Sequence, residues 1–186
     1  MDSPEDVKAG IEIIDELYFR YYEPFYEMLK EEDGTSSFTA FHVIGAGRIA
    51  KIQCDFCALI SPQIFREMIQ PSLRKQCLRL NHSIYHLDGP DAIKHLPALM
   101  EIKELQALQW TCGAGKPDGG SEDWYPIYDM VREAGKSLWI EMHDGTPKDW
   151  ANRAKNLVKR YGTNGMYFLF EEFPDLKSAE EMENLF

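Results

Sequence analysis

From about residue 83 onward, the hydrophobic pattern of this chain switches repeatedly between a period of two and a period near 3.6. Strand patterns over 83–88, 105–111, 137–143 and 165–170 alternate with helical patterns over 91–103, 124–134, 148–161 and 178–186. Two consecutive strands joined by a helix run parallel, because the helix returns the chain to the edge where it started. The second half therefore predicts a parallel sheet with crossover helices. In such sheets, ligands and chemistry collect at the carboxyl ends of the strands.

The first half is less regular. Residues 4–32 read as a helix, with Ser3 as cap, Pro4 in the first turn and early acids at Glu5 and Asp6. Ile11, Ile14, Leu17, Tyr18, Tyr21 and Tyr22 give it an apolar stripe, and Pro24 predicts a kink or split. Residues 33–37 read as a loop, and 38–44 and 48–56 as extended. Ser61-Pro62 starts a helix to about residue 80, bent at Pro71. The domain reading is an N-terminal helical segment, 1–37, followed by an α/β unit over 38–186. Five or six strands are too few for a closed eight-stranded barrel, which takes about 250 residues. A partial barrel and an open doubly wound sheet both fit.

Composition narrows the function classes. At 44% apolar residues the chain buries a sizeable core, and its net charge of −11 argues against nucleic acid or an anionic membrane as partner. No apolar run approaches the roughly 20 residues of a membrane span. The acidic start, Met1 to Asp6, lacks the basic and apolar regions of a signal peptide, so a cytoplasmic protein is expected. The four cysteines are too few and too irregular for a disulfide scaffold.

Polar residues recur at the strand ends. The 83–88 strand closes with His86 and Asp88, which alternation puts on one face before the Gly89-Pro90 break. Gln53, Asp55 and Cys57 share a face at the end of the 48–56 strand. The others end in Gln109 and Trp110, in Glu141 and His143, and in Glu171-Glu172. Acids and imidazoles at successive strand ends are what an active-site ring would need for proton transfer or metal binding. Cys54-x-x-Cys57 stands alone, whereas zinc ribbons use two such pairs. Gly113-Ala114-Gly115-Lys116 is followed by Pro117 and misses the phosphate-loop pattern.

Four segments carry a resemblance. Gln53-Cys54-Asp55-Phe56, Ser61-Pro62 with Phe65 and Pro71, Tyr85-His86-Leu87-Asp88-Gly89, and Leu105 to Trp110 occur in the order found in the C-terminal half of the uroporphyrinogen decarboxylase superfamily. That superfamily includes the corrinoid-dependent methyltransferases acting on methanol and methylamines. The resemblance covers residues 38–175 and implies the later strands of a (β/α)8 TIM barrel. It implies methyl transfer to a corrinoid or thiol acceptor, with the chain forming part of the active barrel. Asp55, His86, Asp88 and Glu141 are then the catalytic residues, and Gln109, Trp110 and His143 bind substrate. His86 and Asp88 occupy the place of the family's His-x-Cys zinc ligands, so zinc is the implied metal, with a metal-free site as the other option.

Two departures keep further readings open. Asp88 stands where the family has a cysteine, and no cysteine follows Cys112. The family's N-terminal arginine-rich signature is absent as well. One further reading is a metal-free tetrapyrrole decarboxylase, with Arg48, Lys51 and Lys116 as the cations for substrate carboxylates. The other is a non-catalytic truncated barrel that self-associates or binds a partner chain to complete its sheet.

Overall fold

A computed structural model describes residues 3–184. Met1 and Asp2, and the last two residues of the helix expected over 178–186, lie outside them. The chain is mixed α/β. Strands β1 (Thr35–Phe38) and β2 (Val43–Ala46) form an antiparallel pair. Strands β3 (Ile49–Ile52), β4 (His82–Asp88), β5 (Ala107–Thr111), β6 (Ser137–Met142) and β7 (Met166–Phe170) form a five-stranded parallel sheet in that order. The strand order follows the chain order without reversal, so the sheet lacks the switch point of a doubly wound fold. No helix among the described residues is long and apolar enough to cross a membrane.

Contacts divide the chain into two compact units. The first runs up to Tyr85 and takes in Lys94–Gln106. Its helix α1 (Pro4–Leu29) ends three residues earlier than expected, and Ser3 makes no side-chain cap. Pro24 does not split it. Pro24 lies on the outer face, where water can take the carbonyl it leaves without a donor. The next residues on the inner face are anchored, with the Tyr22 hydroxyl donating to the Ile49 carbonyl at 2.9 Å and that of Tyr26 to the Gly34 carbonyl at 3.3 Å. The face α1 buries is not the stripe expected from the sequence. Asp15 and Phe19 are buried, while Ile14, Tyr18 and Tyr21 are exposed. Asp15 accepts hydrogen bonds from Ser72 (2.8 Å) and Gln76 (2.7 Å), both on the helix that follows β3.

The 33–56 region also departs from expectation. Thr35–Phe38 is a strand rather than a loop, and the predicted 38–44 strand is broken by a 3-10 turn at Thr39–Phe41. Gly47 has a φ of +84°, and the Asn81 side chain comes within 2.4 Å of where a Cβ would stand. Glycine at 47 is thus explained by the left-handed turn between β2 and β3 and by the Asn81 side chain that occupies the space of a Cβ. Strand β3 stops at Ile52, and Asp55–Leu59 is a 3-10 turn. Phe56, at the end of the expected strand, and Leu59 are exposed.

Ser61 caps the next helix, its hydroxyl accepting from the Ile64 amide at 3.2 Å. Helix α2 (Pro62–Ile64) passes through a widened π-type stretch, Phe65–Ile69, into α3 (Gln70–Arg79). The widening falls just before Pro71, whose ring and missing N–H disfavour the regular turn. The helix expected over 91–103 becomes a 3-10 turn, Pro90–His95, and a short α4 (Leu96–Met100). His95 is fully buried, stacked on Phe65 at 4.5 Å, and its Nε2 donates to the Cys57 carbonyl at 2.7 Å.

The second unit comprises His86–Ile93 and the chain from Ala107. Its expected elements hold closely: α5 (Tyr125–Glu133), α6 (Pro147–Tyr161) and α7 (Leu176–Glu183) alternate with β5, β6 and β7. In register, Leu108 faces Leu138, and Ile140 faces Phe168. These rows bury Leu108, Leu138, Ile140 and Met142 with Tyr128, Val131, Ala154 and Leu157 of the helices. Arg160 of α6 pairs with Asp129 of α5 at 2.7 Å, so the two crossover helices lie side by side. Thr146 and Asp149 form a reciprocal capping box at the start of α6.

Burial pushes the His95 pKa below its ordinary value, and the charge of Lys94 adds to this. Stability from neutral His95 is present above about pH 6.5 and is lost as pH falls below it, because the unfolded chain binds the extra proton. Thermal unfolding followed by circular dichroism should show a falling melting temperature from pH 7 to about pH 5. The part of that fall due to His95 should vanish in His95→Gln.

Candidate functional site

The end of β4 and the end of β5 carry a short chain of polar side chains within the second unit. The Gly89 amide donates to the Thr111 carbonyl at 3.0 Å, which ties the two strand ends together. His86 Nδ1 is hydrogen bonded to Gln109 Oε1. An amide oxygen only accepts, so Nδ1 is the donor in this bond. Gln109 is buried, and its Nε2 donates to Thr111 Oγ1 at 3.0 Å, which fixes the orientation of its amide. Asp88 Oδ2 lies 4.0 Å from His86 Nε2, with about half of the Asp88 side chain exposed. The imidazole is thus oriented from one side by a buried amide and faces a carboxylate on the other.

Gln109 is in register with Trp139, and Trp139 with Tyr167. Paired residues of a parallel sheet share a face, so this row continues the His86–Gln109 face as an aromatic floor. The Trp139 and Tyr167 rings are stacked, with centroids 6.0 Å apart.

A second cluster fixes the loops that follow β5 and β6. Asp118 is almost wholly buried. Its Oδ2 accepts the amides of His143 (2.8 Å) and Asp144 (2.9 Å) and a guanidinium N–H of Arg153 (3.1 Å), and its Oδ1 accepts the amide of Gly120 (2.9 Å). In return the Asp118 amide donates to Asp144 Oδ2 at 2.9 Å. Trp124 and Trp150 add indole N–H donors to the carbonyls of Asp118 and Asp144, each at 3.0 Å. The buried carboxyl group thus has four N–H donors, three backbone amides on the loops after β5 and β6 and one guanidinium on α6. Beside this cluster the Cys112 thiol is pushed up to about 12, by burial first and then by the Asp118 charge. It is therefore a protonated thiol at neutral pH.

The residues expected from the sequence fall into three groups. His86, Asp88 and Gln109 come together as described. Trp110 does not line an opening: it is buried on the opposite, helix-facing side of β5 against Trp124, with ring centroids 5.2 Å apart. Glu141 and His143 are exposed at the end of β6. The Glu141 carbonyl accepts the Gly119 amide, and the His143 imidazole lies 3.8 Å from Asp144. Asp55 belongs to the first unit. It is exposed and accepts from Gln53 Nε2 at 2.7–2.8 Å, and the turn that holds it removes the shared face expected with Cys57, which is buried. Glu171 and Glu172 are exposed beyond β7.

Thr111, Asp118, Arg153 and the Trp139–Tyr167 row are additions from the structure. Thr111 was legible as the residue two beyond Gln109 on the same strand. Asp118 had only a weak local signal, an acid between Pro117 and Gly119-Gly120.

Catalytic zinc takes three protein ligands. His86 and Asp88 supply two, and among the described residues no group of three or more His, Cys, Asp or Glu side chains is placed to hold a metal ion. These residues do not by themselves make up the zinc site that the resemblance implies. No protein-family model matches the chain, and searches of the curated proteins and of the solved structures returned no match.

Replacing Asp118 by Asn turns one acceptor oxygen into a donor among backbone amides and removes the charge opposite Arg153. Urea unfolding of Asp118→Asn should show a loss of about 2–4 kcal/mol. A change below 0.5 kcal/mol, the scale of an ordinary surface substitution, would mean that the cluster does not hold these loops.

Proposed function

We propose that this chain is part of a TIM-barrel enzyme of the uroporphyrinogen decarboxylase superfamily, in its methyl-transfer branch, with the reacting site at the carboxyl ends of β4 and β5. The observation that carries the reading is the hydrogen-bond chain Thr111–Gln109–His86. It orients the imidazole at a strand end, with Nε2 toward the Asp88 carboxylate. The unreversed strand order supports the barrel, since a barrel winds its strands in one direction.

In this reading His86 Nε2 takes the proton from an acceptor thiol. The thiolate sulfur then forms a bond to the methyl group as the bond between methyl and donor breaks, and that bonding pair leaves with the donor. Asp88 stabilises the imidazolium that results, and Tyr167, stacked on the buried Trp139, offers an aromatic contact to the corrinoid donor. No step is assigned to zinc. The tetrapyrrole decarboxylase alternative has weaker support, because two of its three cations are engaged locally. Arg48 pairs with Glu23 at 2.8 Å next to the amino end of β3, and Lys51 is bonded to Gln53.

The test is demethylation of methylcobalamin, used as a soluble methyl donor with 2-mercaptoethanol as acceptor and followed by its visible absorbance. Protein-dependent turnover is expected, with His86→Gln falling by about 100-fold or more, the usual contribution of a positioned acid–base group. Gln109→Leu should fall less, because it frees the imidazole to adopt the wrong tautomer without removing it. Demethylation no faster than with thiol alone, or equal rates for His86→Gln and the unaltered protein, would overturn the proposal.

A further inference from the structure

Helix α1 has two apolar faces, and the first unit uses only one of them. Asp15, Phe19, Tyr22 and Tyr26 turn inward. Ile11, Ile14, Tyr18, Tyr21, Phe25 and Met28 form a second row. The steps between them are three, four, three, four and three residues, the a/d spacing of a coiled-coil seam. Ile14 is 66% exposed, Tyr21 65%, Phe25 59% and Met28 75%. We propose that this seam is the interface of a homodimer, in which α1 packs antiparallel against α1 of a second copy of the chain.

Three observations favour a second copy as the occupant. The first is charge. Two identical chains of net charge −11 repel each other wherever their acids meet. The seam carries no charge, and its flanking positions on the outer side, Gly10, Leu17 and Pro24, carry none either. It is the strip along which a copy approaches without like-charge contact.

The second is size complementarity. In an antiparallel pair, a positions face d positions. That sets Ile11 against Met28, Ile14 against Phe25, and Tyr18 against Tyr21 of the other copy. Each layer at the ends then combines an aliphatic with a larger side chain, and the tyrosines meet at the centre. A parallel pair would stack Phe25 on Phe25 at one end and leave Ile11 on Ile11 at the other, an uneven fit.

The third is area and order. With aromatic side chains of about 150–250 Å² each, the exposed seam offers on the order of 700 Å² per copy, close to the roughly 800 Å² per partner of a stable interface. The helix is already fixed by its inner face, through Asp15, Phe19 and the tyrosine hydroxyls. Association therefore carries no cost of forming a helix, which is what makes short isolated coiled coils marginal.

Sedimentation of the purified protein at tens of micromolar is expected to give twice the chain mass, at low and at high salt alike. Ile14→Glu and Tyr21→Glu, at positions exposed in the single chain, should each give the monomer mass with an unchanged far-ultraviolet spectrum. Leu78→Glu, on an exposed position of α3, should stay dimeric. A monomer for the unaltered protein, or a dimer that survives both seam variants, would overturn the proposal. Loss of the dimer in high salt would also overturn it, because an uncharged seam is not weakened by screening.

Discussion

The buried carboxylate of Asp118 is the constraint on which the strand-end region of the second unit rests. A carboxyl group away from water must find hydrogen-bond partners. Here the donors are backbone amides from two separate loops and the guanidinium of Arg153 on α6. Satisfying one side chain thereby fixes how the chain leaves β5, how it leaves β6 and where α6 begins. The exits of β5 and β6 are consequently rigid connections, as a site built on strand ends requires.

The same logic, on a smaller scale, gives His86 its character. A glutamine buried on a sheet face has to place both ends of its amide. Gln109 does so between Thr111 on its own strand and the imidazole on β4. Because the amide end toward His86 is the acceptor, Nδ1 of the histidine is the donor. The carboxylate in the neighbourhood, Asp88, sits on the other nitrogen's side and half in water. The imidazole is thus hydrogen bonded through Nδ1 to a neutral amide and has a carboxylate 4.0 Å from Nε2.

The first unit shows a different balance. Its long helix is held by polar anchors on the inner face, an aspartate bonded to Ser72 and Gln76 and two tyrosine hydroxyls on backbone carbonyls. Its more apolar side is left outward. Hydrophobic burial alone would have turned the helix by roughly a quarter to half a turn. The polar anchors on the inner side and the covalent link to the β1–β2 pair hold it in the observed orientation, and the outward seam becomes a surface with a property of its own.

Sequence pattern by itself determined the elements of the second unit, because α5 and α6 carry apolar residues at helical spacing while β5, β6 and β7 are short apolar runs between turns. It also determined that His86 and Asp88 share a face and that Ser61-Pro62 starts a helix, since both are local geometry. Short-range pattern failed where a segment's partner is distant in the chain. Residues 53–56 look like the end of a strand until Phe56 is seen to be exposed in a 3-10 turn, and Trp110 looks like a site residue until Trp124 takes it into the core. The meeting of Asp118 with two loops and Arg153, the pinning of His86 by Gln109, and the choice of which α1 face is buried were all decided by tertiary structure. Each depends on groups that sequence separation of 20 residues or more brings together, and no local period encodes such a meeting.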